Sequence, residues 1–132
     1  MGKGKALVVD HELGLVKVAV EMLKHIGYEA DFALSGTEAE LKSRIARNSG
    51  RPYDVVVTDL TLPGDPGGFL LVKILKEIDP LVKVVGSSSR SNLITRVQSK
   101  FDGFSGTIKK PYALFELSKV LYEVLGSRNC DD

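Results

Sequence analysis

Short apolar runs alternate with segments of helical periodicity along the whole chain, and this alternation restricts the fold more than any other feature. The runs have the length and β-branched composition of strands, and the segments between them repeat apolar residues as amphipathic helices do. The predicted strands are Ala6–Val9, Tyr28–Ala33, Asp54–Thr58, Lys83–Ser87 and Ser105–Lys109, and the predicted helices are Leu13–His25, Gly36–Arg47, Gly67–Ile78, Asn92–Phe101 and Ala113–Leu125. Five strand–helix repeats with short links predict a parallel sheet covered by helices on both faces.

The composition is that of one ordinary soluble domain. Of the 132 residues, 43% are hydrophobic and 27% charged, which is enough to build a single core. Because 18 basic residues face 17 acidic ones, no basic surplus favours nucleic-acid binding. We therefore predict one domain over residues 1–132, with its core at about 5–126 and a polar tail at 127–132.

Targeting and cysteine chemistry are both absent from the sequence pattern. The first residues lead directly into a strand without the apolar stretch of a signal peptide, and no apolar run is long enough to span a membrane. Cys130 is the only cysteine, so no internal disulfide or cysteine metal cluster is expected. We expect a cytoplasmic protein that makes no membrane contact through this domain.

Charged side chains follow three of the predicted strands. Asp59 ends the valine-rich third strand, Asp10-His11-Glu12 follows the first, and Lys110 follows the last. The carboxyl ends of parallel strands meet at one edge of the sheet, which is where open α/β folds bind ligands. Converging carboxylates and a lysine predict a site for a divalent cation and a phosphoryl group, although a lone strand-end aspartate also serves to cap a turn.

The order of these residues resembles the receiver domain of two-component response regulators, over nearly the whole chain from Leu7 to about Leu125. The resemblance is carried by the acidic cluster, by Asp59 with Pro63 four residues later, by the serines after the fourth strand, and by Lys110-Pro111. It implies a flavodoxin-like (βα)5 fold with strand order 2-1-3-4-5. Finer features resemble receivers attached to hybrid sensor histidine kinases, namely Asp59–Gly64, Gly67–Gly68, Ser87–Ser88 and Gly103–Gly106.

The resemblance assigns phosphoryl chemistry to four positions. Asp59 matches the phosphoacceptor, and Lys110 matches the lysine that pairs with it at rest and with the phosphoryl oxygen afterwards, next to a peptide bond that is usually cis. Ser88 matches the hydroxyl that reports phosphorylation, and Ser89 would offer its backbone N–H to the phosphate. The plainer alternatives are a solvated lysine before a helix and a serine-rich loop that caps the next helix.

The metal ligands are where this sequence departs from its family. Asp10, Asp59 and the backbone carbonyl of Thr61 match the Mg²⁺ ligands, but His11 occupies the place of the second acid. Imidazole suits softer ions than Mg²⁺, which prefers oxygen. The site could therefore bind Mg²⁺ weakly, prefer Mn²⁺ or another transition ion, or hold no metal. Glu12 follows and could reach in, unless helix geometry carries it away.

A further departure concerns the response to phosphorylation. Thr107 stands where many receivers carry a switch aromatic, which favours a phosphorelay or sink role over promoter binding. Phe104 and Tyr112 are the aromatic candidates to replace it, although core packing is the simpler role for both. Thr61 and Arg90 occupy the positions that tune hydrolysis in this family.

The predicted partner is a sensor histidine kinase or a histidine phosphotransfer domain that docks on the first helix. One stripe of this helix can face the sheet, and a second (Leu15, Val18, Met22) is left over or belongs to a broad buried face. The function is then a phosphoaccepting signalling switch with self-catalysed dephosphorylation, not a turnover enzyme. Its main alternative is an unphosphorylated docking module; a haloacid-dehalogenase-type phosphatase is disfavoured because it needs an acid at Thr61. The oligomeric state is left open.

Overall fold

Five strands and five helices alternate as predicted over the residues that the structure describes. The computed structural model describes residues 2–100 and 103–126, so Cys130, the tail at 127–132 and the predicted helix end at Phe101 lie outside the described residues. The strands are β1 (Gly4–Val9), β2 (Tyr28–Ala33), β3 (Val55–Asp59), β4 (Lys83–Ser88) and β5 (Gly106–Lys109). The helices are α1 (Leu13–Ile26), α2 (Gly36–Asn48), α3 (Gly68–Ile78), α4 (Ser91–Lys100) and α5 (Leu114–Leu125). None of these described helices is long and apolar enough to cross a bilayer.

The strands form one parallel sheet in the order β2-β1-β3-β4-β5, which confirms the predicted order. The order reverses direction between β1 and β3, so the crevice at their carboxyl ends is the place where such sheets bind ligands. All five residues of β3 are buried, as expected for a central strand covered on both faces.

Two apolar layers cover the two faces of the sheet. Leu71 and Leu75 of α3 pack with residues of α2 and α4 against one face, and Leu23 of α1 packs with Leu117 and Leu121 of α5 against the other. Each of these leucines is almost fully buried, which stabilises the fold by roughly 1.5–3 kcal/mol per side chain. The central strands therefore lie rigidly between helices, and so do the polar groups at their ends.

The first two helices have the ends that the sequence predicts. The helix α1 ends at Gly27, whose φ of 122° lies in a region open to glycine and whose N–H bonds the carbonyls of Leu23 and Lys24. At the start of α2, the Ser35 hydroxyl accepts the Glu38 N–H at 3.1 Å. The Glu38 carboxylate reaches back to the N–H of Leu34 at 2.7 Å, one residue before the cap.

Two strands extend one residue further toward the site than predicted. Asp59 belongs to β3 and pairs with Ser87, and Ser88 belongs to β4 and pairs with Lys109. The predicted strands ended at Thr58 and Ser87 because apolar patterning stops there. Backbone pairing does not depend on side-chain polarity, so both polar residues are held in the sheet itself.

Candidate functional site

The carboxyl ends of β1 and β3 bring Asp10 and Asp59 together, as the sequence predicts. Asp10 is 1% exposed and Asp59 is fully buried. Two carboxylates removed from water repel each other strongly unless a cation lies between or beside them. The site is therefore built to attract positive charge.

Lys110 supplies part of that charge from the end of β5. Its Nζ lies 2.9 Å from Oδ2 of Asp10 and 3.4 Å from Oδ1 of Asp59, so the shorter contact is to Asp10 and not to the expected partner. Burial acts to lower the pKa of Lys110, but the hydrogen bond to Asp10 and the charge of Asp59 outweigh it and raise the pKa. The lysine therefore stays protonated. The Lys110–Pro111 peptide is cis, as the resemblance implies.

The two oxygens of Asp59 have different surroundings. Oδ1 accepts hydrogen bonds from the backbone N–H of Thr61 at 3.1 Å and from its hydroxyl at 3.0 Å. Oδ2 is buried and has no hydrogen-bond partner within residues 2–100 and 103–126. An orphan oxygen on a buried carboxylate is costly, and such atoms occur where a ligand or ion completes the site. Oδ2 is therefore the atom of Asp59 that is available for bonding.

His11 lies over this pair of carboxylates. Its Nδ1 is 3.4 Å from Oδ1 of Asp10 and 3.7 Å from Oδ2 of Asp59, while the ring is half exposed. One ligand atom from each of the three residues lies within 4.8 Å of the others. Two carboxylate oxygens and an imidazole nitrogen fit a divalent cation. Glu12 does not join this group, because it is the exposed N-cap residue of α1 and contacts Asp10 through its backbone N–H at 3.1 Å.

Ser88 is buried beside the site, whereas the two residues that follow it are exposed. Its hydroxyl oxygen accepts the N–H of Arg90 at 3.0 Å, and its carbonyl accepts the N–H of Lys110 at 2.8 Å. A hydroxyl that accepts one bond still has a proton to donate. Closing the turn before α4 is thus compatible with the predicted phosphate contact. Ser89 and Arg90 are exposed, so each can reach a ligand only from the solvent side.

Thr107 lies away from the carboxylates, on β5. Its hydroxyl accepts a hydrogen bond from the Gln98 side chain at 3.1 Å, beside a cavity of about 330 Å³ between α4 and α5. Phe104 also borders this cavity, but it is 4% exposed and packs edge-to-face on Phe69 with ring centroids 5.9 Å apart. The core role expected of Phe104 is thereby confirmed. Tyr112 is half buried and packs against the α1–α5 layer, so it too has a packing role.

Sequence reasoning missed two features close to Asp59. The Thr61 side chain bonds the carboxylate directly, whereas the sequence pointed only to its carbonyl and its tuning position. A Cβ added to Gly68 would lie 2.3 Å from the Asp59 carbonyl oxygen, so this position accepts only glycine without rearrangement. A hydroxyl two residues after an aspartate was a usable signal for the first, but only the folded loop reveals the second.

A largely apolar groove runs along α1 and reaches the start of α5. Val18 is 59% exposed, and Leu15 and Met22 are half buried beside it. Two adjoining depressions of about 420 and 250 Å³ share Val18 and Met22 and extend to Tyr112 and Leu114. In the second stripe of α1, Leu15 and Met22 are thus partly covered by packing, and Val18 is left at the surface next to the Lys110-Pro111 segment.

Comparison with known proteins gives the same picture of the fold and its family. The family model for the response regulator receiver domain matches residues 6–122. The chain is 28% identical over 127 residues to the DNA-binding transcriptional regulator NtrC of Azospirillum brasilense, covering 96% of this chain and 25% of that protein. It is 32% identical over 123 residues to hybrid signal transduction histidine kinase L of Dictyostelium discoideum, covering 89% of this chain and 7% of that protein.

A solved structure agrees along most of its length. The chemotaxis response regulator CheY4 of Vibrio cholerae superimposes with a TM-score of 0.79 at 26% identity, over 92% of this chain and 98% of that one. The chain thus spans a quarter or less of the curated relatives named above and nearly all of this structural neighbour. By sequence, fold and the arrangement of its strand-end acids and lysine, the chain belongs to the response regulator receiver domain family.

Proposed function

We propose that this domain accepts a phosphoryl group onto Asp59 from a phosphohistidine of a kinase or phosphotransfer protein. The observation that carries the proposal is Oδ2 of the buried Asp59, which lacks a hydrogen-bond partner among the residues that the structure describes, on a carboxylate beside the protonated Lys110. Oδ2 would attack the phosphorus as the N–P bond breaks, leaving an acyl phosphate on Asp59 and the electron pair on the histidine ring. Such a transfer depends on alignment and charge neutralisation more than on proton movement.

The residues around Asp59 have distinct roles in this proposal. Lys110 would move part of its contact from the carboxylates to a phosphoryl oxygen, since its ammonium already lies between Asp10 and Asp59. Ser88 would donate its hydroxyl proton to another phosphoryl oxygen, and the exposed Ser89 would offer its backbone N–H. Thr61 would hold Oδ1 in place, so that Oδ2 is the oxygen that reacts.

Receiver domains bind Mg²⁺ at an acidic pocket, and the donors here fit a divalent cation. Asp10, Asp59 and His11 would hold the ion, with the Thr61 carbonyl as a further ligand. When bound, the cation neutralises charge on the transferred phosphoryl group.

The domain would act as a signalling switch with self-catalysed dephosphorylation and not as a turnover enzyme. Arg90 and Thr61 are exposed next to the site, where they would control the access of water to the acyl phosphate. The polar Thr107, bound to Gln98, supports a phosphorelay role in which no aromatic ring reports the phosphoryl group. We also propose that this domain acts as the receiver of a hybrid kinase or phosphorelay and that it lies in the cytoplasm.

The partner would dock on the groove of α1. Its apolar floor lies beside the segment that carries Lys110, so a helix seated there could bring a histidine toward Asp59. The chain covers only part of its curated relatives, so any activity or partner of a longer protein is likewise a proposal.

An unphosphorylated docking module is the second candidate. It is favoured by the position of His11, whose ring covers both carboxylates and, if protonated, would supply the positive charge of an ion. In that case Asp59 would serve structure alone.

Incubation with acetyl phosphate distinguishes the two candidates. We expect the intact mass to rise by one phosphoryl group when Mg²⁺ or Mn²⁺ is present, and not after Asp59→Asn. Asp65→Asn is the matched control, because this exposed carboxylate lies six residues away on the loop that follows β3. Failure of the wild-type chain to gain mass with either metal would favour the docking module.

A further inference from the structure

We propose that Nδ1 of His11 is a direct metal ligand and that it makes this site selective for divalent transition ions over Mg²⁺. The inference rests on the proposed function, because the ion concerned is the one that would assist phosphoryl transfer to Asp59. It goes further by assigning the choice of metal to one side chain of this chain.

The first reason is the arrangement of the three donors. Nδ1 lies 3.4 Å from Oδ1 of Asp10 and 3.7 Å from Oδ2 of Asp59. Ligands in neighbouring positions of an octahedron around a small divalent ion lie about 3 Å apart. The two distances from Nδ1 are therefore only slightly longer than the edge of such an octahedron, and one ligand atom from each of the three residues lies within 4.8 Å of the others. The half-exposed ring can close that gap without disturbing the core.

The second reason is the state of the Asp59 carboxylate. Its Oδ2 is buried and has no hydrogen-bond partner in the described part of the chain, yet it is one of the two oxygens nearest Nδ1. The other three carboxylate oxygens already accept hydrogen bonds: Oδ2 of Asp10 from Lys110, Oδ1 of Asp10 from the N–H of Glu12, and Oδ1 of Asp59 from Thr61. Oδ2 has two lone pairs, so one can bind an ion beside His11 while the other stays free for the incoming phosphorus.

The third reason is the charge and softness of the donor set. Mg²⁺ is held by the negative charge of oxygen ligands, and a neutral imidazole adds none. Two carboxylates offset by Lys110 leave a net charge of only about −1 to attract an ion, so Mg²⁺ binding is weakened. Transition ions gain more from a nitrogen ligand, and their affinities rise along the series from Mn²⁺ toward Co²⁺ and Ni²⁺.

A metal-free ion pair is the competing explanation of the same distances. In it, a protonated His11 would neutralise both carboxylates, and a metal ion would have to displace a proton. Nitrogen coordination and metal selectivity separate the two explanations, because an imidazolium ion has no lone pair at Nδ1 to give.

The test is pulsed electron paramagnetic resonance of bound Mn²⁺, which detects a directly coordinated ¹⁴N nucleus. We expect the ¹⁴N modulation in the wild-type chain and in His25→Ala, and its loss in His11→Ala. His25 is the matched control, because the sequence holds only two histidines and this one is exposed near the end of α1. A wild-type spectrum without ¹⁴N modulation, or one that His11→Ala leaves unchanged, would overturn the inference.

Calorimetric titration with Mg²⁺, Mn²⁺ and Co²⁺ provides an independent measurement. We expect Co²⁺ to bind the wild-type chain at least about tenfold more tightly than Mg²⁺. In His11→Asp, which replaces nitrogen by a carboxylate, Mg²⁺ should bind about tenfold more tightly than in the wild type, and the preference for Co²⁺ should shrink. Equal affinities for the two ions, no binding of any ion, or a preference unchanged by His11→Asp would contradict the proposal.

These readouts do not depend on phosphorylation. If nitrogen coordination is found but acetyl phosphate adds no mass, the proposed function fails while the metal assignment holds. If Asp59 is phosphorylated with Mg²⁺ as readily as with Co²⁺ and no ¹⁴N coupling is seen, the metal assignment fails and the proposed function holds.

Discussion

At the scale of single residues, the site holds more negative than positive charge within a well-packed sheet. Asp10 and Asp59 are both buried, but they share a single lysine, and one oxygen of Asp59 has no hydrogen-bond partner among the described residues. Such an arrangement costs folding free energy, because a buried charge without full compensation is unfavourable. Proteins retain such a loss of folding free energy at sites where the strained or charged arrangement is required for function.

Exchanging each carboxylate for an amide should therefore have opposite effects. Asp59→Asn removes the excess charge and leaves the 2.9 Å pair of Asp10 and Lys110, so we expect the free energy of unfolding to rise by about 1 kcal/mol. Asp10→Asn breaks the shorter charged bond, so we expect a loss of about 2 kcal/mol. Urea unfolding without added metal measures both values. A lower stability for Asp59→Asn than for Asp10→Asn would contradict this account of the charges.

The second prediction concerns how the contribution of Lys110 to the free energy of unfolding depends on pH. Because its folded pKa is raised above the ordinary 10.5, its contribution to stability is fully present below that value and is lost as pH rises through the folded pKa. We expect Lys110→Met to cost about 3 kcal/mol. The difference from wild type should stay constant from neutral pH to about pH 10 and shrink above it. A difference that already shrinks near pH 8, measured by denaturant unfolding, would show that the lysine is not held as described.

At the scale of the elements, α3 serves the site through its first residue and α1 through its buried face. Gly68 lets α3 begin directly against the Asp59 carbonyl, which fixes the loop after β3. The buried face of α1 packs against β1, which Asp10 directly follows, while its exposed stripe borders the apolar groove. One helix can therefore stabilise the site and also offer a surface to a partner.

Val18→Lys tests the role of that surface. The side chain is 59% exposed, so the substitution should leave folding and phosphorylation by acetyl phosphate unchanged. If a histidine-bearing helix docks on the groove, phosphotransfer from a histidine phosphotransfer domain should slow by about tenfold, as for the loss of one apolar interface contact. Leu41→Lys on α2 is the matched control, since Leu41 is 58% exposed on another helix. Equal slowing in both variants would place the docking site elsewhere.

At the scale of the whole molecule, two helical layers share one sheet. Leu71 lies in one layer and Leu117 in the other, and both are fully buried. Because the central strands contribute side chains to both layers, we expect the layers to unfold together. This expectation also tests the prediction of a single domain.

Core truncations on the two faces measure this coupling. Leu71→Ala and Leu117→Ala should each lower the free energy of unfolding by about 2–5 kcal/mol through the cavity that each creates. Each variant should still unfold in one transition with an unchanged denaturant dependence. The chain has no tryptophan, so methyl signals in NMR spectra can follow the unfolding of each layer. Separate transitions for the two layers would mean that they are independent units.

Most of the fold could be predicted from the sequence because apolar periodicity is a local property. The strand β2 was predicted at its observed bounds, and α1 was predicted to end before Gly27 for the reason that the structure gives. The ends of β3 and β4 were placed one residue short, since hydrogen bonding between strands continues into polar residues that periodicity does not register.

The candidate site was predictable in its members but not in its contacts. Asp10, Asp59 and Lys110 were expected to meet because parallel strand ends share an edge. The structure adds that Lys110 lies nearer to Asp10, that Glu12 turns away and that Thr61 bonds Asp59 through its hydroxyl. These contacts depend on distances of a few tenths of an ångström, which a sequence pattern does not fix. The preference for hybrid-kinase receivers and the roles assigned to Ser89, Arg90 and Thr107 stay predictions.

The sequence by itself determined the alternation of strands and helices, the buried central strand and the set of polar residues at one sheet edge, since each depends on neighbours along the chain. Only the tertiary structure decided how the charges pair, which oxygen of Asp59 is left without a hydrogen bond in the described chain, and that His11 faces both carboxylates. These features join residues as much as 100 positions apart. Their geometry is set by the packing of the two helical layers on the sheet, which no local pattern encodes.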